Sequence, residues 1–265
     1  MALKLFEDPL SPYAQKVKIA LYEKGIPFER VFIDPNVRGN DRAHQEFVLA
    51  SPRYEVPALV DGQARMSDST IILEYLEEQY PKPIFGPVRA DERVRVRMIE
   101  EMMDTEYEAV NWGIREVKVY DRAVDDEQTD RLLTRASIQL QRLWNRLERD
   151  LEGRLWMIGD EFGRGDAVVH PHVAGSQALG FPVTDLHPRL LEWKSRVASR
   201  SSIKRVQNEC ATALRERRQK ASEAPVKIVR QYRDYRLEWM LKTGGSDIVV
   251  AGLLDGSIRY ADEYE

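Results

Sequence analysis

The feature that most constrains this chain is a change of hydrophobic period. Within residues 1 to about 82, short strand-like runs alternate with helix-like ones, and from Asp91 apolar residues recur at helical spacing instead. Leu3-Lys4-Leu5-Phe6 reads as a short strand. Ser11-Pro12 opens a helix with Val17, Ala20 and Leu21 on one face, and Gly25 stops it. Phe28 to Ile33 predicts a second strand, and Asp41 to Leu49 a short helix. Val56 to Val60, Asp61-Gly62 and Gln63 to Met66 predict two strands joined by a tight turn. A last helix runs from the Ser67–Thr70 cluster through Tyr80, where Pro81 closes it. The order β-α-β-α-β-β-α is that of a small α/β unit ending in a hairpin.

Beyond it, Val94, Met98, Met102, Val110, Ile114 and Val117 share one helical stripe, as do Leu133 to Leu151 at the same spacing. Residues 83–90, with Pro83, Gly86 and Pro87, form the expected linker, and 91–221 an all-helical domain. Residues 222–265 look like an extension: an aromatic-rich helix from Val226 to Leu241, a break at Gly244-Gly245, and an apolar piece from Ile248 to Leu254.

Composition narrows the chemistry. Cys210 is the only cysteine and there are four histidines, which excludes an internal disulfide, a Cys-x-x-Cys redox pair and a multi-cysteine zinc site, and leaves no metal expected. Net charge is −4, so no bulk charge advertises nucleic acid or an acidic membrane. Residues 204–236 carry ten basic residues against four acids, which reads as a solvated helix face in preference to a nucleic-acid site. The N-terminus carries Glu7 and Asp8 before any long apolar run and gives no signal-peptide pattern. The longest stretch free of charged residues, Ala167 to Thr184, contains Pro171 and Pro182 and reads as a buried helix and loop, not a membrane span. A cytoplasmic protein is the expectation.

Three short features carry chemistry. Ser11-Pro12-Tyr13-Ala14 places a hydroxyl at a helix N-terminus, where unpaired N–H groups and a partial positive charge stabilise an anion such as a thiolate. Val56-Pro57 opens a strand with a residue that cannot donate to the ladder, which suits an edge or a cis bond presenting backbone to a ligand. Asp68-Ser69 marks a second helix N-terminus able to take a carboxylate. Taken singly, each is also an ordinary cap or strand start. Together they suit a small peptide bearing a thiol and a carboxylate.

These residues give the chain its resemblance to the cytosolic glutathione transferases. The resemblance covers residues 1 to about 210. It rests on Ser11-Pro12-Tyr13, Val56-Pro57-Ala58-Leu59, Asp68-Ser69-x-x-Ile72-x-x-Tyr75-Leu76, Phe162-x-x-Gly165-Asp166, and His187-Pro188-x-Leu190-x-x-Trp193 with Arg196, Val197 and Arg200. It implies an α/β thioredoxin-like N-terminal domain followed by an all-α C-terminal domain, acting as a homodimer on glutathione. Ser11 matches the family's thiol-activating position, with Tyr13 the alternative. The resemblance further implies that Val56 pairs its backbone with the cysteinyl part of glutathione beside a cis Pro57. It has Ser69 and Asp68 hold the γ-glutamyl carboxylate, and Arg42 take the glycyl carboxylate. The acceptor, an apolar electrophilic small molecule, would lie between the domains against Tyr107, Trp112 and Tyr120, which are as readily core or dimer-contact aromatics.

Two departures shape the expected reaction. Ser11-Pro12-Tyr13-Ala14 looks like the glutaredoxin Cys-Pro-Tyr-Cys with both sulfurs gone, and like the omega-type start with serine for cysteine. A serine cannot form a mixed disulfide, so thiolate activation for conjugation or displacement is expected over disulfide exchange or cysteine-route lyase chemistry. At the buried helix, Gly163 stands where the family usually has a capping hydroxyl, so Asp166 must cap alone. The extended tail also resembles glutathione-dependent enzymes of aromatic breakdown, which cleave aryl ethers or thioethers or remove halide. A non-catalytic transferase-fold binding protein is the other alternative.

Overall fold

The computed structural model describes residues 3–34, 39, 41–223 and 228–260. Among these, one compact unit joins the chain up to Pro87 with Val197–Ile228, and a second joins Val88–Arg196 with Val229–Tyr260.

The first unit is built on strand β1 (Leu3–Glu7), which lies parallel to β2 (Phe28–Phe32) and antiparallel to β3 (Ala58–Asp61); β3 pairs in turn with β4 (Ala64–Ser67). Strand order is β2-β1-β3-β4. Every β1 residue except Lys4 is buried, as a central strand covered on both faces must be. Phe6, Phe47, Tyr54, Ala58 and Val60 form one apolar cluster with helix α2 (Arg42–Ala50). Its rings meet at 5.8 Å (Phe6–Phe47) and 5.0 Å (Phe47–Tyr54). Helix α1 (Pro12–Glu23) packs against α3 (Ser69–Gln79), and Val17, Ala20 and Leu21 are buried as their spacing predicts. Gly25 ends α1 at φ +64°, where a side chain would be strained. Asp61, at the hairpin turn, accepts hydrogen bonds from Tyr75 Oη at 3.0 Å and Tyr80 Oη at 2.6 Å, tying α3 to the hairpin.

In the second unit, α4 (Ala90–Met102) passes through a π-helical turn, Met103–Tyr107, into α5 (Glu108–Lys118). Helices α6 (Asp126–Asp150), α7 (Arg164–Ala178) and α8 (Pro188–Ala198) complete the bundle. Gly163 makes no side-chain cap at α7. Asp166 does this work instead, accepting from the amides of Met157 and Gly163 at 3.0 Å each and from Trp193 Nε1 at 2.6 Å.

Two segments depart from the sequence reading. Helix α9 (Ser201–Glu223) has the helical period expected of the bundle, yet it packs on α1 and belongs to the first unit. In the extension, Val226 lies outside the described residues, and the aromatic-rich helix starts only at Asp234. Arg230–Gln231 (β5) pairs in parallel with Ile258–Arg259 (β6), bracketing α10 (Asp234–Thr243) and α11 (Ser246–Leu254). The break falls where expected, with Gly244 at φ +94°.

Within α7, burial pushes the His170 imidazole down to about 4, with the Lys194 charge acting in the same direction. The unfolded chain therefore binds a proton near pH 6.5 that the folded protein refuses until about 4. Stability from this residue is fully present above pH 6.5 and falls by up to about 1.4 kcal/mol per pH unit on acidification towards 4. Urea unfolding across this range should show that slope in the wild-type protein and a flatter one in His170→Gln; equal slopes would refute it.

Candidate active site

The sheet register assembles the site. Phe6 lies opposite Ala58, and Ala58 opposite Ser67. The end of β1, the start of β3 and the end of β4 thus share one edge, from which the chain runs to Ser11, back to Pro57 and on to Asp68-Ser69. Three sequence-distant features follow from the same end of the sheet because antiparallel pairing places those strand ends side by side.

Ser11 caps α1: its Oγ accepts from the Ala14 amide at 3.3 Å, and Pro12 occupies the first helical position without wasting an N–H. Capping uses an oxygen lone pair, so the half-buried hydroxyl keeps its O–H as a donor. The cap and the thiolate-donor readings are therefore compatible. Tyr13 is half-buried on the first turn, with Lys16 Nζ 5.9 Å from its ring centroid. The Val56–Pro57 bond is cis, with Val56 half-buried just ahead of β3. Asp68 caps α3 at φ +76°, a conformation of about 1–3 kcal/mol strain for a side-chain-bearing residue. Its carboxylate accepts from Thr70 N at 2.9 Å and Ile71 N at 3.3 Å, which offsets that strain. Ser69 follows, buried, at the first helical position. Arg42 is exposed as the first residue of α2, capped by Asp41.

Lys16 escaped the sequence reading. It is fully buried, and its ammonium reaches Thr70 Oγ1 at 3.4 Å, linking the second turn of α1 to the first turn of α3. A lysine inside an amphipathic helix reads as solvent-facing, so no local signal marks it. The same holds for Lys18, fully buried and paired with Glu7 and Glu209 at 2.9 Å each.

The three aromatics expected to line an acceptor site fare differently. Tyr107 is a core residue: it is fully buried, its Oη exchanges a hydrogen bond with Ser176 Oγ at 2.9 Å and accepts from Trp144 Nε1 at 2.8 Å. Burial pushes its phenol up to about 12. Trp112 is covered by the C-terminal extension, with the Arg236 guanidinium 3.7 Å from its ring centroid and Tyr232 edge-on at 6.0 Å. Tyr120 stays half-buried, 6.0 Å from Arg230. Tail aromatics Tyr232 and Trp239 are buried against α5; a Cβ on Gly113 would sit 1.9 Å from the Trp239 ring, so only glycine admits it there. Among the described residues no group of three or more His, Cys, Asp and Glu could hold a metal ion, and no helix is long and apolar enough to cross a membrane.

Residues 5–84 match the glutathione S-transferase N-terminal domain and residues 114–201 the glutathione S-transferase C-terminal domain. The chain belongs to the cytosolic glutathione S-transferase superfamily. It is similar to a stringent starvation protein A homologue of Coxiella burnetii, 24% identical over 81% of this chain and 95% of that protein. The corresponding homologue of Haemophilus ducreyi is 36% identical, over 37% of this chain and under half (46%) of the relative. A maleylpyruvate isomerase of Ralstonia sp is 32% identical over 41% of this chain and half (50%) of that enzyme. The crystal structure of a Methylobacterium radiotolerans glutathione S-transferase in complex with glutathione sulfonate superposes with a TM-score of 0.64 at 27% identity, covering 78% of this chain and 94% of that one.

The tail's docking gives a sharp energetic test. Arg236 binds Glu108 bidentately, at 2.9 and 2.6 Å, with both side chains buried. Arg236→Leu strands a buried carboxylate and should destabilise by about 3–5 kcal/mol, while Arg236→Leu with Glu108→Leu should recover most of that loss. Urea unfolding of the three variants checks it; a double variant as weak as the single one would refute the account.

Proposed function

We propose that this protein binds glutathione and activates its thiol for attack on an apolar electrophile, by conjugation or displacement. The observation that carries the reading is the Ser11 hydroxyl: it caps α1 through its oxygen and keeps its proton to donate, at a helix end whose dipole favours an anion. A thiolate beside it gains a hydrogen bond and a favourable field, and both lower the thiol pKa. The Val56 backbone next to the cis proline would align the cysteinyl part, and Asp68 with Ser69 would hold the γ-glutamyl end. Arg42 is the candidate for the glycyl carboxylate and Tyr13 the alternative thiol donor. A thiolate made this way also serves reversible addition to an activated double bond, a reaction class suggested by the similarity to the Ralstonia isomerase. The family's typical homodimer is expected here.

A second reading has its own support. The similarity to the Coxiella stringent starvation protein A homologue spans almost that whole protein, and that name states no enzymatic reaction, so a transferase fold kept for binding is the second reading.

Ser11→Ala separates the two. Under the catalytic reading the wild-type protein is retained on immobilised glutathione and lowers the thiol pKa. Ser11→Ala then keeps its fold and loses roughly 10²-fold or more in turnover with a model aryl halide, the scale of one preorganised donor at the reacting atom. Unchanged turnover would sink the role of Ser11, and absence of glutathione binding in the wild-type protein would favour the second reading.

A further inference from the structure

The loop that delivers Ser11 is held from a helix two hundred residues away. Asp8, Pro9 and Leu10 join the buried end of β1 to the α1 cap. Asp8 shapes this turn itself: its carbonyl accepts from the Ser11 amide at 2.9 Å and its Oδ1 from the Leu10 amide at 2.9 Å. The other carboxylate oxygen, Oδ2, accepts from Arg217 Nη2 of α9 at 2.8 Å. The Pro9 carbonyl accepts from Gln15 Nε2 at 2.9 Å and from Cys210 Sγ of α9 at 2.9 Å. Burial pushes the Cys210 thiol up to about 11, so it keeps the proton it donates.

These two contacts end a longer ladder. Arg200, just before α9, grips Glu23 at the end of α1 through two bonds of 2.9 and 2.6 Å. Glu209 accepts from Lys18 at 2.9 Å and Tyr22 at 2.7 Å. Cys210 and Arg217, seven residues or about two turns apart and so on one face, then reach Pro9 and Asp8. Partners on α9 advance as those along α1 and its loop recede, so the elements run antiparallel, clamped from one end of α1 to the turn before it. The basic run at residues 204–236 thus has part of its explanation inside the molecule.

We propose that α9 is a positioning element for the thiol-activating hydroxyl, with Arg217 acting through Asp8 and Cys210 through the Pro9 carbonyl. This rests on the reading of Ser11 given above. An N-cap hydroxyl can aim its proton at a bound sulfur only if the turn before it is fixed, and a displacement near 1 Å at a reacting group lowers rate by up to about 10²-fold.

The experiment uses the full chain with glutathione as the probe, reading the bound thiol's pKa from thiolate absorbance across pH. Amide hydrogen exchange over residues 6–16 is measured without ligand. Arg217→Ala should raise the bound thiol's pKa by about one unit, lower kcat/KM roughly tenfold, and speed exchange at Leu10 and Ser11. Arg217→Lys should restore most of each change, since Arg217 gives Asp8 Oδ2 one hydrogen bond that an ammonium can supply. Cys210→Val, close in volume but without the S–H donor, should move the same readings in the same direction, and serves if Arg217→Ala does not fold. Arg218→Ala, on the exposed face of α9, should behave as wild type. A lowered thiol pKa in the wild-type protein that Arg217→Ala and Cys210→Val leave in place, with unchanged exchange, overturns the positioning role alone. A wild-type protein that binds glutathione without lowering its thiol pKa overturns the role of Ser11, and this one with it.

Discussion

Glu7 is the residue on which the first unit turns. It closes the central strand with a fully buried carboxylate, and a buried charge survives only if it is paired. Arg30 of the neighbouring strand reaches it with Nε at 2.8 Å, and Lys18 of α1 with its ammonium at 2.9 Å. Lys18 is shared with Glu209 of α9, whose carboxylate also meets Tyr22 and Arg30. For Glu209, burial alone would raise the carboxyl pKa, but the Lys18 hydrogen bond and charge outweigh it and hold the group below the usual carboxylate range. One carboxylate at the end of β1 therefore sets where β2, α1 and α9 must lie. The next residue along, Asp8, extends the same arrangement into the turn that carries Ser11. Core charge and site geometry form one connected structure, so the placement of the hydroxyl is inherited from the packing beneath it.

The legible part of this protein is what neighbours in sequence decide. The Ser11-Pro12 cap, the Val17, Ala20 and Leu21 face, the Gly25 stop and the Asp61-Gly62 hairpin each depend on contacts within a few residues. All of them appear where periodicity and cap chemistry put them. Sheet register then brought Ser11, Pro57 and Ser69 to one edge, which the motifs foreshadowed only as a set. The illegible part depends on partners far away along the chain. Lys18 meets Glu209 across a separation of 191 residues, and Arg230 meets Glu116 across 114. A charged residue has no local mark that tells a solvated position from a buried, paired one, so the burial of Lys16 and Lys18 leaves no signal in the sequence. Helix period likewise shows that α9 is a helix but not which unit it packs on. Tyr107 shows the complementary case: an aromatic on a buried stripe has the same spacing whether it faces a substrate or, as here, Ser176 and Trp144.

Buried ion pairs fasten both segments whose place the sequence did not reveal, and stability is a weak explanation for that choice. Apolar replacements of a whole buried pair are often neutral or favourable, so leucines at the same positions would hold the tail about as firmly. What leucines would not supply is register. Glu108 and Glu116 stand eight residues apart on α5, and Arg236 and Arg230 answer them in reverse order along the tail. Arg230 Nε lies 2.7 and 3.0 Å from the two Glu116 oxygens, while its Nη1 donates to Ser257 Oγ at 3.0 Å and so brings the β6 side of the extension into the same lock. Sliding the tail by a single turn would part both α5 carboxylates from the guanidiniums that answer them and leave them buried, at several kcal/mol each. Only one alignment escapes that penalty, and it is the one that stacks Arg236 on Trp112 and seats Trp239 over Gly113. Residues 229–260 are thereby a fixed part of the second unit, and the surface they cover is removed from any choice of ligand.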